Sequence, residues 1–256
     1  MLLVFTMLLL PFFAPSGRFF PLISGLLVGV LVPFIDATVG SRTDIRFVWY
    51  SIRYRNRMIR VSLSYIFRIK VDDRYLFIKS ARAPVYLPVG GVYKMTAGAK
   101  GLLDSMGVVA DDLVPVDAVS RDDLRVRVPG KNLSQFMRWF NRGTSRETDH
   151  WREFYQELVE SGIVDADVFT WIMHEHIQRR VAGMQFSPHA QAWEIIVADI
   201  YELLPSPEQL ANLQELRARG HAEIEWLTQE EIRRSGASPG AGQRLQTGAP
   251  VSQWVI

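Results

Sequence analysis

Arg152-Glu153-Phe154-Tyr155-Gln156-Glu157 sets two carboxylates, Glu153 and Glu157, four residues apart within a helical pattern. Side chains at i and i+4 stack on one helix face. Two carboxylates held side by side repel unless a proton or a divalent cation sits between them. Arg152 and Gln156 flank the pair, with Gln156 on nearly the same face as Glu153. The segment continues through Leu158, Val159 and Glu160, and Gly162 predicts its stop. Read blandly, the stretch is a solvated surface helix. Read chemically, it is a hard-cation site: Mg²⁺ takes one or two carboxylates, keeps waters and clamps phosphates.

The carboxylate segment resembles the helix of the Nudix hydrolases. In that family an Arg-Glu pair, an apolar residue and two further Glu follow a glycine-led loop. Arg152 and Glu153 match the Arg-Glu pair, Phe154 the apolar position, Gln156 the first of the two Glu and Glu157 the second. The resemblance implies that Glu153 and Glu157 hold Mg²⁺, or another divalent cation such as Mn²⁺, and that Arg152 orients a carboxylate. Gly90 and Gly91, at the end of Val85-Tyr86-Leu87-Pro88-Val89, match the leading glycines and, with Gln156, would contact the substrate. The chain departs from the pattern in three places. A neutral amide stands at Gln156, the closing glycine arrives late, and 152 − 91 = 61 residues separate Gly91 from Arg152. A long insertion, at about residues 95–149, is therefore expected, with Glu147 the nearest upstream Glu. The run Glu223 to Ile232, a strand with a Trp leading into an acidic helix start, is a third landmark of that family.

From Met1 to Ile35 the only charge is Arg18. Phe19 to Ile35 would span roughly 26 Å as a helix, close to a hydrocarbon core. Gly25 and Gly29 form a small-residue pair suited to close helix approach. No basic segment precedes Arg18, which argues against a cleaved signal peptide. Residues 1–40 are therefore expected to anchor the chain with one or two transmembrane helices. Arg42, Arg46, Arg53, Arg55, Arg57 and Arg60 follow, opposed only by Asp36 and Asp44. This basic juxtamembrane segment, 41–60, predicts a cytoplasmic body and contact with lipid headgroups.

The chain has 256 residues, 48% of them apolar, with a net charge of +2. The residues beyond the apolar block suffice for one well-packed domain, expected over 61–235. The charge balance gives no support for binding duplex nucleic acid. The absence of cysteine agrees with a cytoplasmic body. Strands are predicted over Arg60–Val71 and Arg74–Lys79 around an Asp72-Asp73 turn, then Val85–Val92, Leu124–Val128, Phe169–Val181, Trp193–Leu203 and Glu223–Leu227. Helices are predicted over Leu102–Val108, Leu133–Phe140, the carboxylate segment and Pro207–Arg219. The expected class is α/β: a Nudix-like α/β/α sandwich with a mixed sheet, preceded by transmembrane helices. Residues 236–256 read as a flexible tail whose apolar end, Val251 to Ile256, can dock back.

This layout is similar to that of the SMODS-associated NUDIX proteins of cyclic-oligonucleotide antiphage signalling (CBASS). Tyr65–Lys70, Leu87–Lys94, Trp151–Leu158 and Trp193–Leu203 carry that resemblance. It implies a bacterial effector at the inner membrane, with its main domain in the cytoplasm and a functional link to a cyclic-oligonucleotide synthase. The expected partners are a nucleotide or cyclic oligonucleotide, membrane lipid and a second copy of the chain. Hydrolysis of a nucleoside-diphosphate-linked substrate is the leading expectation. A non-catalytic sensor acting through its N-terminal helices is the alternative.

Other stretches carry weaker expectations. His174 and His176, with His189, could ligate a metal, but a polar sheet face near the cleft is the better account. Glu175 or His176 could contact substrate. Asp111-Asp112 and Asp122-Asp123 read as turn residues. Trp139, Phe140 and Trp151 suit core packing ahead of base stacking. Glu147 and Asp149 are candidate supporting groups or bases because they precede the helix.

Overall fold

The computed structural model describes residues 42–80, 85–111, 122–188, 190–235 and 250–256. The expected membrane segments with Gly25 and Gly29, together with Asp112, His189 and residues 236–249, lie outside these. Among the described residues no helix is long and apolar enough to cross a membrane. Contacts divide the chain into Met1–Trp49 and Tyr50–Ile256. The described part of the first unit is the start of helix α1, Arg42–Arg53.

The second unit is mixed α/β, built around β1 (Met58–Arg68). Ile59, Val61, Leu63, Tyr65 and Phe67 are buried on one face of that strand, the period-two pattern of a half-covered sheet. β1 pairs in parallel with β10 (Ala192–Leu203), from Ile59 opposite Trp193 to Arg68 opposite Glu202. Its other edge is shared end to end by two antiparallel strands, β7 (Arg125–Pro129) and β5 (Gly90–Val92). β6 (Val109–Ala110) extends β7, and β8 (His174–Val181) and β9 (Gln185–Ser187) pair with β10. The result is a seven-stranded mixed sheet. A second, four-stranded sheet joins β2 (Lys70–Val71), β3 (Arg74–Lys79), β4 (Tyr86–Pro88) and β11 (Ile224–Thr228). Helices α2 (Lys100–Ser105), α3 (Leu133–Arg142), α4 (Trp151–Phe154), α5 (Pro207–Arg219) and α6 (Gln229–Ser235) complete the unit.

Several predicted elements change at their ends. The run Arg60–Val71 serves both sheets, breaking at Ile69, whose carbonyl accepts Leu76 N–H at 2.9 Å. Val85–Val92 likewise divides into β4 and β5, because Gly90 at φ +153° redirects the chain onto β1. Phe169 is no strand residue. Its N–H turns back to Asp165 O at 2.9 Å, and its ring is buried against Phe154 at 5.6 Å. The α5 helix starts as its Ser206-Pro207 sequence dictates, with a reciprocal Ser206–Gln209 cap.

Two charge assignments also change. Asp111 is a buried partner of Arg60 (Nε–Oδ2 2.7 Å) and not a turn residue. Arg60 also bonds Glu194 (2.8 Å), so it belongs to the sheet rather than to a lipid-facing basic run. Trp139 and Phe140 are buried in the core and offer no open face for base stacking.

The expected insertion is woven into the sheet instead of hanging from it. The chain leaves after Tyr93 and returns at Leu124 on the same β1 edge: Tyr93 N–H donates to Leu63 O, Leu63 N–H to Leu124 O, and Leu124 N–H to Tyr93 O. It closes again where Glu147 N–H donates to Lys94 O at 2.8 Å. Ends held this close make a long excursion cheap, because loop-closure entropy grows only slowly with length.

The last residues are part of the body: the apolar end expected to dock back packs into the core. Pro250–Val255 forms a 3₁₀ helix whose Val255 packs into a core of Ile66, Phe77, Ile200, Leu227 and Ile232. Val255→Asp places an unpaired charge in that core, and we expect a loss on the order of 3 kcal/mol or more by chemical denaturation. An unchanged midpoint would mean that the segment is loosely held.

Candidate active site

The glycines and the carboxylate helix meet in space. Phe154 drives this: it is fully buried, with rings of Phe67, Phe169 and Trp151 within 5.7 Å. The single α-turn of α4 passes into a π-turn, Tyr155–Val159, closed by Glu160 N–H to Tyr155 O at 2.8 Å. A π-turn widens the spiral by one residue, a distortion often found at functional sites. The uniform α-helix expected from the sequence would stack Glu157 over Glu153. With the wider turn, the carboxylates meet successive glycines. Glu157 Oε2 accepts Gly90 N–H at 2.9 Å, and Glu153 lies against Gly91.

Arg152 fixes this arrangement. Its Nε and Nη2 donate to Glu147 Oε1 and Oε2 at 2.7 and 3.0 Å. Nη2 also reaches Val92 O at 3.2 Å, while Nη1 donates to Glu153 Oε1 and, at 3.5 Å, to Gln156 Oε1. Burial works against the guanidinium's charge, but Glu147 and then Glu153 more than offset it, so its pKa rises. Glu147 is therefore the partly buried clamp of Arg152, and its Oε2 also accepts Lys94 N–H at 3.2 Å. Asp149 accepts Trp151 N–H at 2.9 Å and so caps the helix start. Gln156 is exposed and turned toward Arg152.

Glu157 is the electrostatic exception. Among the described residues no cationic side chain pairs with it. Burial pushes its carboxyl up to about 8, the Gly90 N–H pulls it back and Glu153's charge adds to the rise. Two carboxylates, one paired with an Arg and the other lacking a cation, suit a hard divalent ion that keeps most of its waters. Among the described residues no group of three or more metal-ligating side chains is gathered.

Sequence reasoning missed several residues around this centre. Asp123 is no solvated turn residue. Its side chain is 12% exposed, 3.9 Å from Arg125 Nε, and bridges Lys94 through the backbone. Burial raises its pKa, Arg125 and Lys94 lower it, and Glu153's charge raises it again. Tyr65 is fully buried on β1, packing on Tyr93 and His150 at 5.0 and 4.7 Å. Burial and then Glu147's charge hold its hydroxyl protonated. Beneath the helix start, buried Asp199 accepts from Arg179 Nε and Nη2 at 2.6 and 2.8 Å and from Tyr93 Oη at 2.8 Å. Tyr93 Oη lies 3.2 Å from His150 Nε2. Burial, and then neighbouring His174, push His150 down to about 4, so it is neutral at pH 7. A lone acid inside the apolar run Ile195–Ile200 was the available signal for this network. His174 and His176 line its outer side, His174 beside His150 at 5.1 Å and His176 3.5 Å from Asp199.

A family model, the SMODS-associated NUDIX domain, matches residues 58–256. The chain belongs to this family. No curated protein matches it. The match starts with β1 and takes in the docked C-terminal segment, so this SMODS-associated NUDIX domain includes both sheets, the woven insertion and the Glu153–Glu157 helix.

The two glycines should fail differently. A Cβ at Gly90 would sit 2.3 Å from Tyr65 O, a backbone atom that cannot yield, and Gly90→Ala is expected to cost about 3 kcal/mol or more in denaturation. At Gly91 the Cβ would meet the Glu153 carboxylate at 2.2 Å, a side chain that can move only by leaving Arg152. Gly91→Ala should cost less than Gly90→Ala, about 1–2 kcal/mol, and displace Glu153. Equal losses for both would contradict this geometry.

Glu157 predicts a pH dependence in metal-free protein. Its folded pKa lies above the unfolded one, so its contribution is full below about 4.5 and lost as pH rises through about 8. Denaturation midpoints from about pH 5 to about pH 9 should decline, and Glu157→Gln should flatten that decline.

Proposed function

We propose that this domain hydrolyses a phosphoanhydride in a nucleoside-diphosphate-linked substrate, using Mg²⁺ or Mn²⁺ held by Glu153 and Glu157. The observation that carries this reading is the meeting of Glu157 and Glu153 with Gly90 and Gly91 across an insertion of the chain. A divalent ion bound there would polarise a phosphate oxygen and lower the pKa of a bound water. Gly90 and Gly91 let the strand pack where a side chain would collide with the Tyr65 carbonyl and the Glu153 carboxylate, so the two glycines position the carboxylates. Arg152, locked by Glu147, holds Glu153 in place through a charge-assisted hydrogen bond.

The wider setting of the proposal rests on the resemblance carried by the sequence. The chain would act as an effector of bacterial cyclic-oligonucleotide antiphage defence, functionally linked to a cyclic-oligonucleotide synthase. Residues 1–40 would anchor it in the inner membrane, with the domain in the cytoplasm. A second reading is favoured by Gln156, a neutral and exposed amide where the family resemblance places a Glu. In it the domain binds a cyclic oligonucleotide without hydrolysis, and the output is oligomerisation or disturbance of the membrane.

The test is incubation of the purified full chain with Mg²⁺ and a nucleotide panel, following products by mass. The panel would hold dinucleotides, sugar nucleotides, NAD and cyclic oligonucleotides. Cleavage at a diphosphate, lowered at least ~100-fold by Glu157→Gln, is the expected result for a metal ligand. Binding of a cyclic oligonucleotide with every nucleotide intact would replace the hydrolase reading by the sensor.

A further inference from the structure

Helix α1 buries one side and leaves an apolar stripe in water. Phe47 and Ser51 are buried, while Ile45, Val48, Trp49 and Ile52 are 52, 44, 55 and 69% exposed. These four fall at i, i+3, i+4 and i+7, a single helix face. Exposed Arg46 and Arg53 lie together along one flank of that stripe. A soluble face would carry polar residues here.

The second unit carries the same chemistry. Exposed Arg55 and Arg57 lead into Met58, which is 40% exposed. Far away in sequence, Phe186 on β9 is 48% exposed and packs edge-on to Trp193 at 5.8 Å. Tyr54 lies on the other side of Trp193 at 5.2 Å and carries Arg53 over its ring at 5.4 Å. A recess of about 300 Å³ opens between them, lined by Arg57, Met58, Arg127, Phe186 and Trp193. Exposed apolar and aromatic side chains ringed by arginines suit a surface that is apolar beneath and anionic on top. Such a surface is the headgroup region of a bilayer containing acidic lipid.

We infer that the second unit lies against an anionic bilayer through Ile52 and the Met58–Phe186–Trp193 end of the sheet. The apolar residues enter the acyl boundary, and Arg53, Arg55 and Arg57 meet lipid phosphates. This goes beyond tethering by residues 1–40, since a tether alone would not bring Phe186 to the lipid. It is also independent of the hydrolase reading, because none of these residues belongs to the Glu153–Glu157 site.

The chain has no cysteine, so one introduced cysteine is a unique label site. The full chain carrying Ile52→Cys or Phe186→Cys would be labelled with a polarity-sensitive fluorophore and reconstituted into liposomes with or without phosphatidylserine. Glu215→Cys on exposed α5 serves as the reference. The expected result is a blue shift at positions 52 and 186 with phosphatidylserine, quenched by brominated lipid, and none at 215. Each Arg→Glu change among Arg53, Arg55 and Arg57 should weaken docking by roughly fivefold or more. Water-like emission at 186 beside a shifted 52 would reduce the contact to a tether and overturn the inference. A blue shift that brominated lipid does not quench would assign the face to a second copy of the chain, which also overturns it.

Discussion

A guanidinium partly withdrawn from water gains by placing its five N–H donors, and Arg152 places all of them. Glu147 takes two, Glu153 and Gln156 take the Nη1 pair, and Val92 O takes the last. This one side chain ties the carboxylate helix and the end of the insertion just before it to the glycine strand, 60 residues upstream. Loss of Glu147 or Glu153 would leave a partly buried charge without its counter-charge, a costly state. The position of Glu153 relative to Gly91 therefore depends on Glu147, although Glu147 touches neither Glu157 nor the glycines in the hydrogen bonds that define the site.

The insertion is compatible with that junction because β1 organises both sides of it. β5 and β7 lie end to end along one edge of β1, and the chain between them starts and finishes on neighbouring residues of that edge. The added strands and α3 then contribute core residues such as Val126, Val128, Phe136 and Phe140. Their burial stabilises the sheet and, through Arg146 and Glu147, the approach to Arg152. Arg146 donates to Phe140 O at 2.9 Å and to Glu147 O at 2.7 Å. An excursion that would loosen a conventional loop here becomes the support of the site.

Much of this was legible in the sequence where a local rule applies. The alternation of β1, the Ser206-Pro207 helix start, the Gly162 stop and the Arg152–Glu157 segment all follow from period or cap chemistry. What was not legible depends on long-range pairing. Nothing near Val89 announces that the chain changes sheets there, because that depends on which edge of β1 is open. Asp111 and Asp123 look like turn acids until Arg60 and Lys94 are placed beside them. The π-turn is equally silent, since Tyr155 to Val159 has good helical residues and the extra residue is accommodated by packing of Leu158 and Val159. Residue spacing predicted a stacked carboxylate pair, and backbone pitch decided which glycine each one meets.

The charge arrangement that results is asymmetric, and the asymmetry has a physical meaning. Arg152 is saturated, so it cannot turn to Glu157, and the remaining donor there is the Gly90 amide. A buried carboxylate without a cation is costly, and an apolar side chain of similar size would cost the fold less. Packing alone therefore gives no reason for Glu157, whereas the neighbouring Phe154 and Leu158 are fully explained by burial. Strongly displaced carboxylates without an internal partner are characteristic of sites where charge is supplied from outside the protein. With Glu153 already sharing its charge with Arg152, that external charge would be centred nearer Glu157. A cation held off Arg152 in this way would share Glu157 with the Gly90 amide, which already donates to its Oε2.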